Sequence, residues 1–149
     1  MNPKANEFQL DAEQSLSVLE SRDIGILSTM NEDGTPYAVP VNYILVNGKI
    51  YIRTSPHGQK ISNIIRDPEC SFAVFDAEGY NSKGKVDFES VSVKGKARLI
   101  TDNKEEMEIL RDVANKYKKS ENGLEKEASA FIVIEIVIEK ITGIYRSGI

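Results

Sequence analysis

Along most of the chain apolar and polar residues alternate with the period of two that marks β-strands, and in three places the spacing widens to that of a helix. Asp11 can cap the first helix, predicted over residues 12–21, with Leu10 before the cap, Gln14 three positions after it, and Leu16 and Leu19 on its buried side. From Ile24 the chain reads IGILSTM, PYAVPVNYILV and KIYIRT, separated by EDGT and NG. Asp33-Gly34 and Asn47-Gly48 are pairs that tolerate positive φ, so three antiparallel strands in a meander are expected. In the second of them Tyr37, Val39, Val41, Tyr43 and Leu45 share one face, and Ala38, Pro40, Asn42, Ile44 and Val46 the other. Both faces are largely apolar, which predicts cover on each side, by a barrel interior and by a helix or partner subunit. Pro40 cannot donate to a ladder, so it belongs at an edge, a bulge or an opening. A flat ligand could hydrogen-bond to the main chain there.

Further on, Ile61, Ile64 and Ile65 have the spacing of one helical face, and Pro68 stops that helix. CSFAVFDA reads as a fourth strand, EGYNSKGK as a loop, and FESVSVKGKARLI as a fifth strand interrupted by Gly95. Residues 101–119 give the strongest helical pattern, with Met107, Leu110, Val113, Ala114 and Tyr117 on one side. SENGLEKEAS is a loop. The last strand, AFIVIEIVIEKITGIY, has Ile132, Ile134, Ile136 and Ile138 on one face, while Glu135 and Glu139 mark the other as partly wet. Six strands, mostly antiparallel, with three helices at their ends, predict a compact α+β barrel.

Length and composition narrow the picture. With 149 residues, 40% hydrophobic and 28% charged, the chain suits a single folded domain, 1–149. Its formal charge of −4 argues against general nucleic-acid or anionic-membrane binding, so an anionic ligand must be held locally. The N-terminus lacks a signal-peptide core and no run reaches membrane-span length, so a cytoplasmic protein is expected. One cysteine, Cys70, and one histidine, His57, leave no pair for a disulfide or a structural metal.

The same counts remove most catalytic constellations. His57 lies between Pro56 and Gly58 in a surface loop, far from Cys70 and without a nucleophile elbow. Cys70 opens an apolar strand and reads as a buried, inert thiol. Glu105, Glu106 and Glu108 lie among balancing lysines on a solvated helix face. The junction RTSPHGQKISNI remains, where a strand ends and a helix begins. Thr54 and Ser55 offer hydroxyls, the helix start offers unpaired N–H groups, and Lys60 adds a charge in the first turn, a set able to hold a phosphate dianion. Charge-assisted hydrogen bonds of about 1.5–3 kcal/mol each would outweigh the mild acidity of the protein. The other reading of these residues is that Ser55 caps the helix ahead of Pro56, with Lys60 solvated.

The run LSTMNEDGTPYAVPVNYILVNGKIYIRTSPHGQKISNIIRDPECSFAV, continued by SVSVKGKARLI and VIEIVIEKITG, resembles the pyridoxamine 5'-phosphate oxidase-like, FMN-binding split-barrel superfamily, nearest its nitroimidazole-resistance (NimA-like) branch. The resemblance implies a six-stranded, mostly antiparallel split β-barrel with flanking helices, working as a homodimer with one FMN per subunit at the interface. It places Pro40, Val41, Asn42 and Tyr43 along the isoalloxazine ring, mainly through backbone groups, and Thr54, Ser55 and Lys60 on the phosphate, with Arg53 and Gln59 as further candidates. Gln59 stands where the branch commonly has a histidine, and it can donate a hydrogen bond but no charge. The loop 78–86 also departs from the branch, Tyr80 being its one aromatic residue. The C-terminal ITGIYRSGI lacks the substrate-binding ending of true pyridoxamine-phosphate oxidases, which disfavours vitamin B6 oxidation.

In such a protein the flavin supplies the redox chemistry, so the lack of an acid–base dyad does not exclude an enzyme. The resemblance implies an FMN-dependent oxidoreductase passing electrons to a small planar acceptor such as a nitroaromatic. Asn42 and nearby amides could favour negative charge on the reduced ring. Alternatives are a non-catalytic flavin carrier or redox sensor, and a haem-binding relative for which His57 is the one histidine ligand.

Overall fold

The computed structural model describes residues 7–77, 87–100, 102–116 and 131–147. Asp11 starts helix α1 (Ala12–Glu20) through a capping box: its side chain accepts from the Gln14 N–H at 2.7 Å, and the Asp11 N–H donates to Gln14 Oε1 at 2.9 Å. Leu19 is buried and Leu16 half-buried, as the spacing predicts.

Eight strands form one sheet: β1 (Glu7–Leu10), β2 (Ile24–Met30), β3 (Pro36–Asn42), β4 (Ile44–Val46), β5 (Lys49–Thr54), β6 (Glu69–Ala77), β7 (Phe88–Ile100) and β8 (Ile132–Arg146). The order across it is β3-β2-β6-β7-β8-β5-β4, with β1 added along the end of β8, and every pairing is antiparallel. Two further helices, α2 (Gln59–Arg66) and α3 (Asn103–Lys116), complete the described elements. The expected split barrel is present, with eight strands among the described residues instead of six.

Two departures account for the difference in count. The run 36–46 is not one strand. It breaks at Tyr43, so that β3 pairs with β2 while β4 pairs with β5, and these halves lie at opposite ends of the sheet. The expected meander is therefore two hairpins joined by a corner. Tyr43 makes the corner because its ring is buried edge-on against Phe72 at 4.9 Å and its hydroxyl donates to the Leu19 carbonyl. The second departure is β1, a four-residue strand that pairs with the end of β8 through Glu7↔Arg146 to Leu10↔Gly143.

Both hairpin turns behave as their residues require. Asn47 and Gly48 both have positive φ (51° and 75°), which suits a two-residue connection. In the first turn the Gly34 N–H donates to the Asn31 carbonyl at 2.9 Å and Gly34 has φ 84°.

The core fills the inside of the curled sheet. Ile134 and Ile136 of β8 are fully buried there with Leu27, Ile50, Ile52, Phe72, Val74, Val91 and Val93, and Ile132 and Ile138 pack at its margin. A second cluster, Ile44, Tyr51, Ile100, Ile109 and Val133, lies on the other side of the sheet beneath α3. Glu135 is consequently buried and not wet: it is 2% exposed, on the face covered by this helix. Gly95 marks a β-bulge, the register of β7 on β8 shifting between Lys94 and Gly95. A Cβ there would sit 2.4 Å from the Val137 carbonyl oxygen, so the close backbone approach needs glycine.

Candidate functional site

The predicted residues lie on two local features, an open strand edge and a helix start without a side-chain cap among the described residues. β3 has β2 on one side, and among the described residues no strand on the other. The Tyr43 N–H donates to the Asp23 carbonyl at 3.1 Å and the Asn31 N–H to the Thr35 carbonyl at 2.8 Å, which sets the odd-numbered residues of this stretch toward β2. The main-chain groups of Ala38, Pro40 and Asn42 therefore turn to the open edge. Pro40, having no N–H, fits that register, and the Asn42 N–H is the donor nearest the corner. Ala38, Pro40 and Asn42 also carry exposed side chains, whereas Val41 is half-buried.

Tyr43 does not join them. Its N–H is bonded to Asp23 and its carbonyl accepts from Lys116 Nζ at 3.0 Å, while its ring is 1% exposed. Its role is to hold the corner on which the edge depends. Lys116, at the end of α3, also donates to the Arg22 carbonyl at 2.8 Å, lies 4.8 Å from the Tyr43 ring centroid, and pairs with Asp23 at 3.7 Å. Burial lowers the Lys116 pKa, an effect that Asp23 opposes.

The junction lies at the end of β5, and β3 touches β5. Thr54 ends that strand opposite Ile132, and Arg53 stacks its guanidinium 4.7 Å from the Phe131 ring centroid. Ser55 is exposed, accepting weakly from the His57 N–H at 3.5 Å, and His57 is itself exposed. Ser55 does not cap α2. The N-cap is Gly58, at φ 124°, and among the described residues no side chain caps the helix start. The first-turn N–H groups of α2, which no helix can satisfy internally, thus face outward with the positive end of its dipole and with Lys60 in the same turn. This donor set suits a phosphate.

Gln59 is oriented otherwise than expected. Its Nε2 donates to Asn63 Oδ1 at 2.9 Å, one turn further along the helix. Asn63 is fully buried, whereas Ile65, predicted on the buried face, is 70% exposed. Hydrogen bonds of Asn63 to the end of β2 hold the helix in this rotation, with Ile61 and Ile64 inward. Sequence reasoning missed both Asn63 and Lys116. An asparagine between two buried isoleucines was a faint sign of the first, and the second carried none.

A separate cleft of about 540 Å³ opens on the outer face of β2, β6, β7 and β8, lined by residues that include Ser28, Ser71, Ser92, Lys94, Lys140 and Thr142. It contains none of the nine predicted residues. An open hollow of about 480 Å³ between the first hairpin turn and α2 is lined by Asn31, Glu32, Asp33, Tyr37 and Gln59. The loop with Tyr80 lies outside the described residues.

A family model described as pyridoxamine 5'-phosphate oxidase matches residues 11–145. The chain belongs to this family. Among curated proteins none matches this family member. Solved structures share the split-barrel fold with it at low sequence identity. A candidate 5-nitroimidazole antibiotic resistance protein from Bacteroides thetaiotaomicron is 20% identical with a TM-score of 0.75, covering 97% of this chain and 95% of its own. An FAD-binding protein from Mesorhizobium loti is 24% identical with a TM-score of 0.72, covering 95% and 97%. The flavocytochrome Anf3 from Azotobacter vinelandii is 20% identical with a TM-score of 0.78, covering 96% of this chain and 70% of its own.

Proposed function

We propose that this pyridoxamine 5'-phosphate oxidase family member is an FMN-binding flavoprotein, a homodimer that passes electrons from a nicotinamide donor to a small planar acceptor such as a nitroaromatic. The observation that carries the reading is the uncapped start of α2, with Lys60 in its first turn, next to a strand edge whose amides are open. A phosphate on one end of a ligand meets the first, and a flat ring with hydrogen-bonding edges meets the second. The names of the structural neighbours, an FAD-binding protein and a candidate nitroimidazole-resistance protein among them, point the same way.

When bound, the flavin supplies the redox chemistry. Lys60 and the N–H groups of α2 bind the phosphate, with Thr54 and Ser55 adding hydroxyls. Arg53 is fixed by Phe131 at the end of β5, and brings positive charge to the same strand. The Asn42 N–H, at the open edge, can donate to a ring edge that gains negative charge on reduction. Gln59, held by Asn63, leaves charge neutralisation to lysine and arginine. A second copy of the chain is favoured by the outer face of β2 and β6, where Ile24, Met30 and Phe75 are 60%, 40% and 61% exposed.

The visible spectrum of freshly purified protein tests the cofactor: flavin bands support the proposal, and a Soret band would replace it by a haem protein. Lys60→Ala should weaken FMN binding by about 1.5–3 kcal/mol in a fluorescence titration, because one charge-assisted contact is removed. An unchanged affinity would refute the phosphate assignment. Turnover of NAD(P)H with a nitro compound, faster than with free FMN, separates an enzyme from a carrier.

A further inference from the structure

Asn63 uses all of its hydrogen-bonding capacity inside the protein. Its Nδ2 donates to Thr29 Oγ1 and to Asn31 Oδ1, each at 3.0 Å, and its Oδ1 accepts from Gln59 Nε2 at 2.9 Å and from an Arg66 guanidinium nitrogen at 3.2 Å. The same nitrogen of Arg66 donates to the Met30 carbonyl. Asn31 continues the network, its Nδ2 donating to Thr35 Oγ1 at 3.1 Å, and Thr35 Oγ1 donating to Asp33 Oδ1 at 2.6 Å. One buried side chain thus ties the first and last turns of α2 to the end of β2 and to the turn from which β3 departs.

These are the two halves of the proposed cradle: α2 presents its N–H groups to the phosphate, and β3 presents its open edge to the ring. Along the chain the two are joined only through Tyr43 to Gly58, by way of β4 and β5. We infer that Asn63 is a positioning residue that fixes the start of α2 relative to the open edge of β3, so that one phosphorylated ring compound engages both at once. The inference rests on the flavin reading above. Its physical basis is the rule for a ligand with two anchors: the second contact adds in full only when the two sites are held at the ligand's own span. Loosening the tie penalises the doubly anchored ligand and spares one that uses a single half.

Riboflavin, which has the ring without the phosphate, supplies that comparison. Asn31→Ala removes the hairpin side of the tie and leaves Gln59, Asn63 and Lys60 in place. It is expected to lower FMN affinity about tenfold while riboflavin affinity stays within about twofold. Asn63→Ala, if it folds, should match Asn31→Ala. A purely structural role would lower the melting temperature and move both affinities together, or neither, and that result overturns the inference while leaving flavin binding intact. A parent protein that binds neither FMN nor riboflavin overturns the flavin reading itself, and the inference with it.

Discussion

Single residues in this chain carry more than their sequence neighbourhood reveals. Cys70 is a case where the neighbourhood suffices: it begins an apolar run, and it is 7% exposed with its Sγ 3.6 Å from the Gly95 carbonyl oxygen. Burial pushes its thiol up to about 12, with Glu69 and Glu139 adding to the shift. At pH 8 only on the order of one thiol in ten thousand would then be ionised. A disulfide-exchange reagent should label Cys70 in the folded protein at a rate set by unfolding, and stoichiometric labelling within a minute would contradict the burial. Tyr43 and Gln59 are the opposite case. Both lie inside runs that resemble a cofactor site, yet Tyr43 turns into the core and Gln59 turns back to Asn63. Tyr43 takes its direction from Leu19, and Asn63, which holds Gln59, is itself held by Thr29, partners distant in sequence that local spacing does not encode.

At the scale of elements, α3 is fixed to the sheet at both ends. Lys116 does this at its C-terminus, and a cluster around Glu135 does it at the N-terminus. Arg98 Nε and a second guanidinium nitrogen donate to the two oxygens of Glu135 at 2.8 and 3.1 Å, Tyr51 donates to Glu135 at 3.0 Å, and Arg98 reaches Glu105 of α3 at 2.7 Å. Burial works to raise the Glu135 carboxyl, but the bonds from Arg98 and Tyr51 outweigh it and leave it below its ordinary value of 4.5. The unfolded chain takes up that proton near 4.5 and the folded protein only at lower pH. The contribution to stability is therefore complete above this range and is lost as the pH falls through the folded value. Arg98→Met should cost about 3 kcal/mol at neutral pH, the low end for breaking a buried pair because Arg98 is half exposed, and should reduce the loss of stability on acidification. Denaturant unfolding at pH 7 and at pH 4 checks both. The alternation in AFIVIEIVIE located the barrel face but misplaced Glu135, because a helix distant in sequence covers the other side of β8.

For the molecule as a whole, the open part of the barrel matters most. The chain from β3 to β4 joins the two ends of the sheet through the Tyr43 corner, and among the described residues β3 and β4 each have one edge without a partner strand. The exposed apolar residues on the outer face of β2 and β6 lead to a prediction about assembly. Phe75, 61% exposed and stacked on Phe88 at 6.0 Å, lies on this face, and Phe75→Lys should convert a dimer to a monomer in light scattering after size exclusion. Because the cofactor is proposed to sit between subunits, the monomeric variant should also lose FMN. A monomeric parent would refute the assembly, and a monomeric variant with full FMN affinity would place the site within one chain.

The sequence alone determined what depends on near neighbours. The Asp11 to Gln14 capping box, the positive-φ turns, the interior positions Ile134 and Ile136, the interruption of β7 at Gly95 and the helix bearing Ile61 and Ile64 all express spacing and backbone preference over a few residues. Only the tertiary structure decided what depends on long-range packing. It broke residues 36–46 at a buried tyrosine, paired β1 with the far end of β8, rotated α2 to bury Asn63 in place of Ile65, and covered Glu135. In each, a contact between segments distant along the chain outweighs a local pattern too short to fix the direction of a side chain.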